Sequence, residues 1–313
     1  MKKFLKRIFI FLLPFIIFFG WIEIKARQLP NTYALKKQNI EKHLDSIHIL
    51  VLGSSHAFDD IDPEWFSCRG FNFANTSQSL FHDSQLCLKY SDQMPRLKAV
   101  IFVISYFTFW FEMQDLTEGW RDYFYYHYYG IRYPSLEKRD IKYYSFAALY
   151  TKTFLKDMIL NKIDYPYTFG DIQVNGWQKI ESVGDSNEIN DKAGEERVKF
   201  HTSIIRREHL SENIGYLEPV LKKLNDRNIQ VIFVIPPVYK TYSKYADTSI
   251  MAENRRIISG LCKKFNARFF DYFSDPRFTR ENFMNNDHMN RTGAKKFSLI
   301  LDSDFVAKVC RRY

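Results

Sequence analysis

Five short runs of β-branched and aromatic residues, interleaved with helix-compatible stretches, restrict the fold of this chain more than any other feature in it. The runs occupy 47–52 (IHILVL), 70–73 (GFNF), 98–104 (KAVIFVI), 229–235 (IQVIFVI) and 267–272 (ARFFDY). A run that is apolar at nearly every position, rather than at alternate ones, belongs to a strand buried on both faces. Between and after the runs, helical patterns fall at 80–90, 212–227 with Ser211 as N-cap, 248–265 and 292–310. Strands alternating with helices predict an α/β fold, a three-layer α/β/α sandwich around a parallel five-stranded sheet. In such sheets ligands bind at the carboxyl ends of the strands. Gly53-Ser54-Ser55 directly follows the first run and so stands where chemistry is usually done.

The alternation stops between about 106 and 210, a gap far longer than an ordinary strand-to-helix connection. This segment reads as an insertion over the sheet edge and carries much of the aromatic surplus of the chain, 29 phenylalanines and 20 tyrosines in 313 residues. Its tryptophans, Trp110 and Trp120, are candidate substrate platforms, because an aromatic face stacks on sugars or sits at a membrane surface. A local aromatic core for a small helical insertion explains the same composition. The acidic stretch 184–196 reads as a surface loop, and its Gly184-Asp185-Ser186 as a chance tripeptide, since no apolar strand precedes it.

The net charge of +9 does not point to nucleic acid, because the basic residues are spread along the chain without a recognisable binding motif. Some of the excess, at Lys2, Lys3, Lys6 and Arg7, precedes an uncharged run at 8–22 (IFIFLLPFIIFFGWI) that closes on Trp21-Ile22 before Glu23. A basic flank followed by such a run reads as an uncleaved signal anchor with its N-terminus cytoplasmic. The expected organisation is a basic tip and transmembrane anchor over 1–27, a polar connector over 28–45, and an α/β domain over 46–313. The chain would then be a single-pass protein of a bacterial cytoplasmic membrane with its body outside the cytoplasm. Four cysteines, Cys68, Cys87, Cys262 and Cys310, have no metal-ligand spacing. An exported protein can pair some of them, and free buried thiols fit the spacing equally well.

Two motifs about 230 residues apart carry the candidate chemistry: Val51-Leu52-Gly53-Ser54-Ser55-His56 and Asn285-Asn286-Asp287-His288. A serine hydroxyl becomes a strong nucleophile when an imidazole takes its proton and a third group fixes that imidazole's tautomer. Ser55 and His288 supply the first two parts. No metal or other cofactor is expected, since His82 and His127 have no partners at zinc-ligand spacing.

The motifs resemble those of the SGNH (GDSL-like) hydrolase superfamily, in particular its membrane-anchored bacterial branch of envelope esterases and acyltransferases. The first block matches in Val51-Leu52-Gly53-Ser54-Ser55, and the last in Asp287-His288-Met289-Asn290 ahead of Gly293-Ala294. Ile235-Pro236-Pro237-Val238-Tyr239-Lys240 is similar to the loop found at this place in the envelope acyltransferases. The resemblance covers about 46–105 and 229–310. It implies a flavodoxin-like sheet, Ser55 as nucleophile and His288 as base. Asp287 would orient the base, with Asn285 as the alternative, because Asn285 stands where the family has its acid. The oxyanion donors implied are the backbone amides of Ser55 and Ser77, with Ser77 in the place of a glycine. Asn75 stands in for a third-block asparagine that the chain lacks. His56 is expected in a structural or substrate-contact role. The activity implied is a serine acyl-esterase or O-acyltransferase acting on cell-envelope polysaccharide through an acyl-serine intermediate. Its partners would be a surface glycan or acyl donor, the membrane, and a membrane acyl-transfer protein. The alternative is a non-catalytic glycan-binding or assembly subunit with a degraded site.

Overall fold

The computed structural model describes residues 1–134, 139–162, 171–179 and 189–311. Helices α1 (Lys2–Arg27) and α2 (Thr32–Glu41) are followed by β1 (Ile49–Leu52), α3 (Ser55–Asp60), β2 (Gly70–Asn72), α4 (Leu80–Tyr90) and β3 (Ala99–Val103). Then come α5 (Arg121–Tyr129), α6 (Lys152–Ile159), a hairpin of β4 (Asp171–Ile172) and β5 (Gln178–Lys179), and α7 (Asp191–Ser203). The chain finishes with α8 (His209–Asp226), β6 (Gln230–Ile235), α9 (Lys240–Ser243), α10 (Thr248–Phe265), β7 (Arg268–Asp271), α11 (Arg291–Leu301) and α12 (Ala307–Arg311).

The five apolar runs form one sheet in the order β2-β1-β3-β6-β7, with every neighbouring pair parallel. Leaving the small hairpin aside, this is the 2-1-3-4-5 order of flavodoxin-like sheets. Because strand side chains alternate, Ile49, Val51, Ile101, Val103, Ile232 and Val234 share one face, where they pack against α3 and Phe297 and Leu301 of α11. Leu50, Leu52, Val100, Phe102, Val231 and Phe233 point the other way and are equally buried, on the side carrying α4, α8 and α10. The three-layer α/β/α architecture follows from strands that are apolar on both faces.

The chain divides into two compact units, one of Met1–Ala34 with Trp120–Gly170, the other of Leu35–Gly119 with Asp171–Tyr313. The second contains the sheet. In the first, α1 is long and apolar enough to cross a membrane. The aromatic residues of this unit form a local core: Tyr33 stacks on Phe124 at 5.2 Å and meets Tyr125 edge-on at 5.1 Å, and Tyr143 lies 4.7 Å from Tyr126. The stretch expected as a connector is folded, since Lys36 of α2 is wholly buried and donates to the carbonyls of Asn72 (3.0 Å) and Ala74.

Part of the expected surface loop at 184–196 is helical instead. Asn190 caps α7 by accepting the Ala193 N–H at 2.9 Å, and Gly194, Val198 and His201 form its buried stripe. Gly184-Asp185-Ser186 lies outside the described residues.

Cys68 and Cys310 form a disulfide across 242 residues of sequence, whereas Cys87 and Cys262 are free. Closing so long a loop restricts the unfolded chain strongly, so Cys68→Ser is expected to lower unfolding free energy by about 2–5 kcal/mol. Denaturant titration of the oxidised wild type and the variant measures the difference.

Candidate active site

The turn after β1 needs a glycine. Gly53 has φ +142°, and a Cβ there would lie 3.0 Å from the Cβ of Ala57 and from the side chain and carbonyl oxygen of Val103. Its tight turn feeds directly into α3, so Ser55 stands on the first helical residue at the carboxyl end of a central strand. Four hydrogen bonds fix α3 and the two residues after it. Asn72 Nδ2 donates to the carbonyls of Ala57 and Ile61 at 2.7 Å each, Asp60 Oδ1 accepts the Met289 N–H at 2.7 Å, and the Asp62 N–H bonds Ser298 Oγ at 2.8 Å. The last two tie α3 and the chain after it to Met289 and to Ser298 of α11.

The last motif is a loop folded back on itself between Phe283 and Met289, which form a single antiparallel bridge. Asn285 Oδ1 accepts the backbone N–H groups of Asp287 (3.0 Å) and His288 (2.8 Å), a side-chain-closed turn. The Pro236–Pro237 segment braces the loop, because the Tyr239 N–H donates to the Asn286 carbonyl at 3.0 Å and Thr241 Oγ1 bonds Asn286 Oδ1. Gly293 lets α11 pack beneath it, since a Cβ there would come 1.9 Å from the Asn282 carbonyl oxygen.

These two frames bring Ser55 Oγ to 2.8 Å from His288 Nε2. On the other side of the ring, His288 Nδ1 is 3.3 Å from Asn285 Oδ1 and 3.5 Å from Asp287 Oδ1. Both expected orienting residues therefore stand at the same nitrogen. The adjacent acid reaches it because the Asn285-closed turn folds the carboxylate back over the ring.

Asp287 is 1 % exposed and is shared between one guanidinium and three imidazole rings. Arg197 Nε of α7 donates to both its oxygens, at 3.0 and 2.9 Å. His56 Nε2 lies 3.2 Å from Oδ2, off the line of a hydrogen bond, and His201 Nε2 lies 3.8 Å from the same oxygen. His56 does not point away from its neighbour's partner. Its ring is buried and stacks on His288 at 4.7 Å and 6°. Its Nδ1 meets Ser105 Oγ at 2.8 Å, and Ser105 Oγ meets Ser54 Oγ at 3.0 Å. The Ser105 side chain is thus committed to an internal polar chain.

The charge states follow from burial and neighbours. Burial raises the cost of ionising Asp287, but the facing His288 ring and the contacts from His56 and Arg197 outweigh it and hold the carboxyl well below its usual range. Burial by itself would lower His288, and the Asp287 carboxylate reverses this and lifts it to about 9. Burial dominates at His56 and lowers it to about 4 despite Asp287, so that ring is neutral. His201 is pushed well below its ordinary value by burial. Asp59 Oδ2, one helical turn after Ser55, lies 4.0 Å from His288 Nε2 and is raised to about 6 by burial.

Ser77 has φ +55°, a left-handed backbone position that favours glycine. Asn75 is buried, its Oδ1 accepts the Thr76 N–H at 2.9 Å, and its own N–H bonds the Gly53 carbonyl. Asp83 ties this segment to the turn after β1 by accepting from Gln78 Nε2 at 2.6 Å and from the Gly53 amide. Trp110 is fully buried, with the Arg207 guanidinium 4.5 Å over its ring, so neither face is open to a sugar. Trp120 is 42 % exposed and belongs to the other compact unit.

His56, Asp287 and His288 place ligand atoms within 4.8 Å of one another. A cation bound there would have to displace Arg197, which already occupies both carboxylate oxygens. The arrangement suits proton transfer between a hydroxyl and a charge-stabilised imidazole. Arg197 had no signal in the sequence, being a lone arginine in a polar stretch. No known family's sequence profile matches the chain, and no curated protein matches it.

Proposed function

We propose that this chain is a membrane-anchored, extracytoplasmic serine acyl-esterase or O-acyltransferase of SGNH type that acts on cell-envelope polysaccharide. The observation that carries this reading is the 2.8 Å contact between Ser55 Oγ and His288 Nε2, with Asp287 behind the ring. In the first half-reaction Ser55 Oγ attacks the acyl carbonyl carbon and its proton passes to His288 Nε2. The oxyanion is held by the backbone amides of Ser55 and Ser77, with Asn75 as the side-chain donor beside them. When the tetrahedral intermediate collapses, the leaving alcohol takes the proton from His288 and the acyl group stays on Ser55. Water or a sugar hydroxyl then gives its proton to His288, attacks the ester and releases Ser55.

The anchor reading draws support from α1, from the basic residues ahead of its apolar run, and from the Cys68–Cys310 disulfide, a bond typical of oxidising compartments. Tethering keeps such an enzyme close to membrane-delivered donors and to a membrane acyl-transfer partner. The non-catalytic glycan-binding reading is favoured by one observation: Ser105, which follows β3 at the place where the resemblance has its oxyanion asparagine, is bonded to His56 and Ser54. Incubation of the full chain with O-acetylated envelope polysaccharide separates the two. Acetate release or transfer by the wild type and its loss in Ser55→Ala is the expected result, and no turnover by either protein leaves the binding subunit.

Arg197 should tune this chemistry. Its guanidinium offsets part of the Asp287 charge and repels a proton on His288, so Arg197→Gln raises the His288 pKa further above its ordinary value. A smaller neutral fraction follows, and kcat/KM at pH 7 is expected to fall by about threefold to tenfold. A pH–rate profile of the variant should show its acid limb displaced to higher pH.

A further inference from the structure

The outer end of α1 is clasped by a segment far away in sequence. Glu23, directly after the apolar run, accepts Ser145 Oγ–H at 2.8 Å and the backbone N–H groups of Phe146 and Ala147 at 2.9 and 3.1 Å. Arg27 bonds Glu23 at 2.8 Å and lies over the Phe146 ring at 4.8 Å. Ile22, Leu29 and Met158 of α6 are buried together beneath Tyr150, Phe154 and Leu155. Residues 145–158 are therefore fixed to the last turns of the apolar helix.

That clasp leaves apolar side chains open beside it. Ile141 is 66 % exposed, Tyr144 68 % and Leu160 49 %, although the first two lie within a few residues of the Glu23 contacts. The same segment, 139–162, carries five cations, Arg139, Lys142, Lys152, Lys156 and Lys162, against the acids Asp140 and Asp157. Exposed aromatic and aliphatic groups among basic ones, held at the level where an apolar helix ends, match the headgroup layer of an anionic bilayer.

We infer that residues 139–162 form a collar around the outer end of α1 that lies in the headgroup layer of an anionic membrane. The inference rests on the anchor reading of α1 and is independent of the acyl chemistry. Glu23 ties the collar to the end of the span, Ile141, Tyr144 and Leu160 dip below the phosphates, and the lysines meet lipid phosphate. The collar holds its compact unit on the bilayer instead of leaving it swinging from a free tether.

Depth-dependent quenching tests this in the full chain reconstituted into nanodiscs containing phosphatidylglycerol. Single cysteines are placed at Ile141→Cys, Leu160→Cys and Ile10→Cys in a Cys87→Ser, Cys262→Ser background and labelled with an environment-sensitive fluorophore. The labels at 141 and 160 are expected to lose most of their emission to lipids brominated near the headgroup and less to lipids brominated deep in the chain. The label at 10 should show the reverse order. K152E/K156E should reduce the quenching at 141 and 160 and leave that at 10 unchanged. Quenching at 10 with none at 141 and 160 overturns the collar while leaving the anchor in place. No quenching at 10 overturns the anchor and the collar with it. Shielding of 141 and 160 from an aqueous quencher without quenching by brominated lipid assigns the face to a protein or glycan partner and overturns the membrane assignment.

Discussion

Replacing His288 with alanine is expected to lower acyl turnover by about ten-thousand-fold or more, leaving only what oxyanion contacts and substrate binding supply. The effect is large because no other described base stands at Ser55 Oγ in hydrogen-bond contact. His56 is stacked behind His288, with its Nδ1 on Ser105, and Asp59 is 4.0 Å from the His288 nitrogen. Ser55→Ala should cost about as much. Because the two groups act as one unit, the double variant should be little worse than either alone. Single-turnover kinetics on an activated acyl ester measure all three, and circular dichroism establishes that each variant is folded.

The second large effect belongs to Asp287 and depends on pH. His288 accepts the Ser55 proton only when neutral, and its pKa is raised from 6.5 to about 9 by Asp287 acting against burial. Wild-type kcat/KM should therefore rise with pH, by about tenfold per unit on the acid limb, and level off above about pH 9. Asp287→Asn removes the group that raises the pKa, so the limb moves down toward the ordinary imidazole range. The plateau falls by about a thousand- to ten-thousand-fold, because an amide does not stabilise the imidazolium that forms during attack. The two changes oppose each other below pH 9. The loss should thus be largest in alkaline buffer and smaller near neutrality, where the wild type is mostly protonated. A loss of equal size at every pH would mean that Asp287 does not set the His288 pKa.

The strands were readable because continuous apolar runs have few other uses in a chain of this size. Helices α4 and α10 lie where the apolar periodicity predicts them, at Leu80–Tyr90 and Thr248–Phe265. Helix α8 begins at His209 rather than after Ser211, since two further residues extend it past the expected cap. What the sequence hid was helical structure without periodicity. Helix α3 has six residues, too few to show a stripe, yet it decides where His56 points. A serine-rich turn would send neighbouring side chains apart, whereas the helix brings Ser55 to the Nε2 edge of the His288 ring and His56 onto its face. Helix α7 is polar and acidic at its start, so its stripe of Gly194, Val198 and His201 has no legible periodicity in the sequence, and Arg197 on the same helix carries no signal there. Lys36 was hidden for a related reason, because a lysine in a polar stretch reads as solvated and this one is buried against two carbonyls. The pairing of Ser55 with His288 was legible because each stands in a motif with a glycine requirement, at Gly53 and Gly293, that backbone packing explains.

The most direct measurement of the central claim is covalent labelling of the folded full chain with a fluorophosphonate, read by mass spectrometry of the peptide that contains Ser55. Attack at phosphorus displaces fluoride and leaves a phosphonyl ester on Ser55 Oγ, with the hydroxyl proton passing to His288. One adduct on Ser55, absent in Ser55→Ala and formed far more slowly in His288→Ala, is the predicted result. An unmodified Ser55 in folded protein held at pH 9, where His288 is substantially neutral, would contradict it.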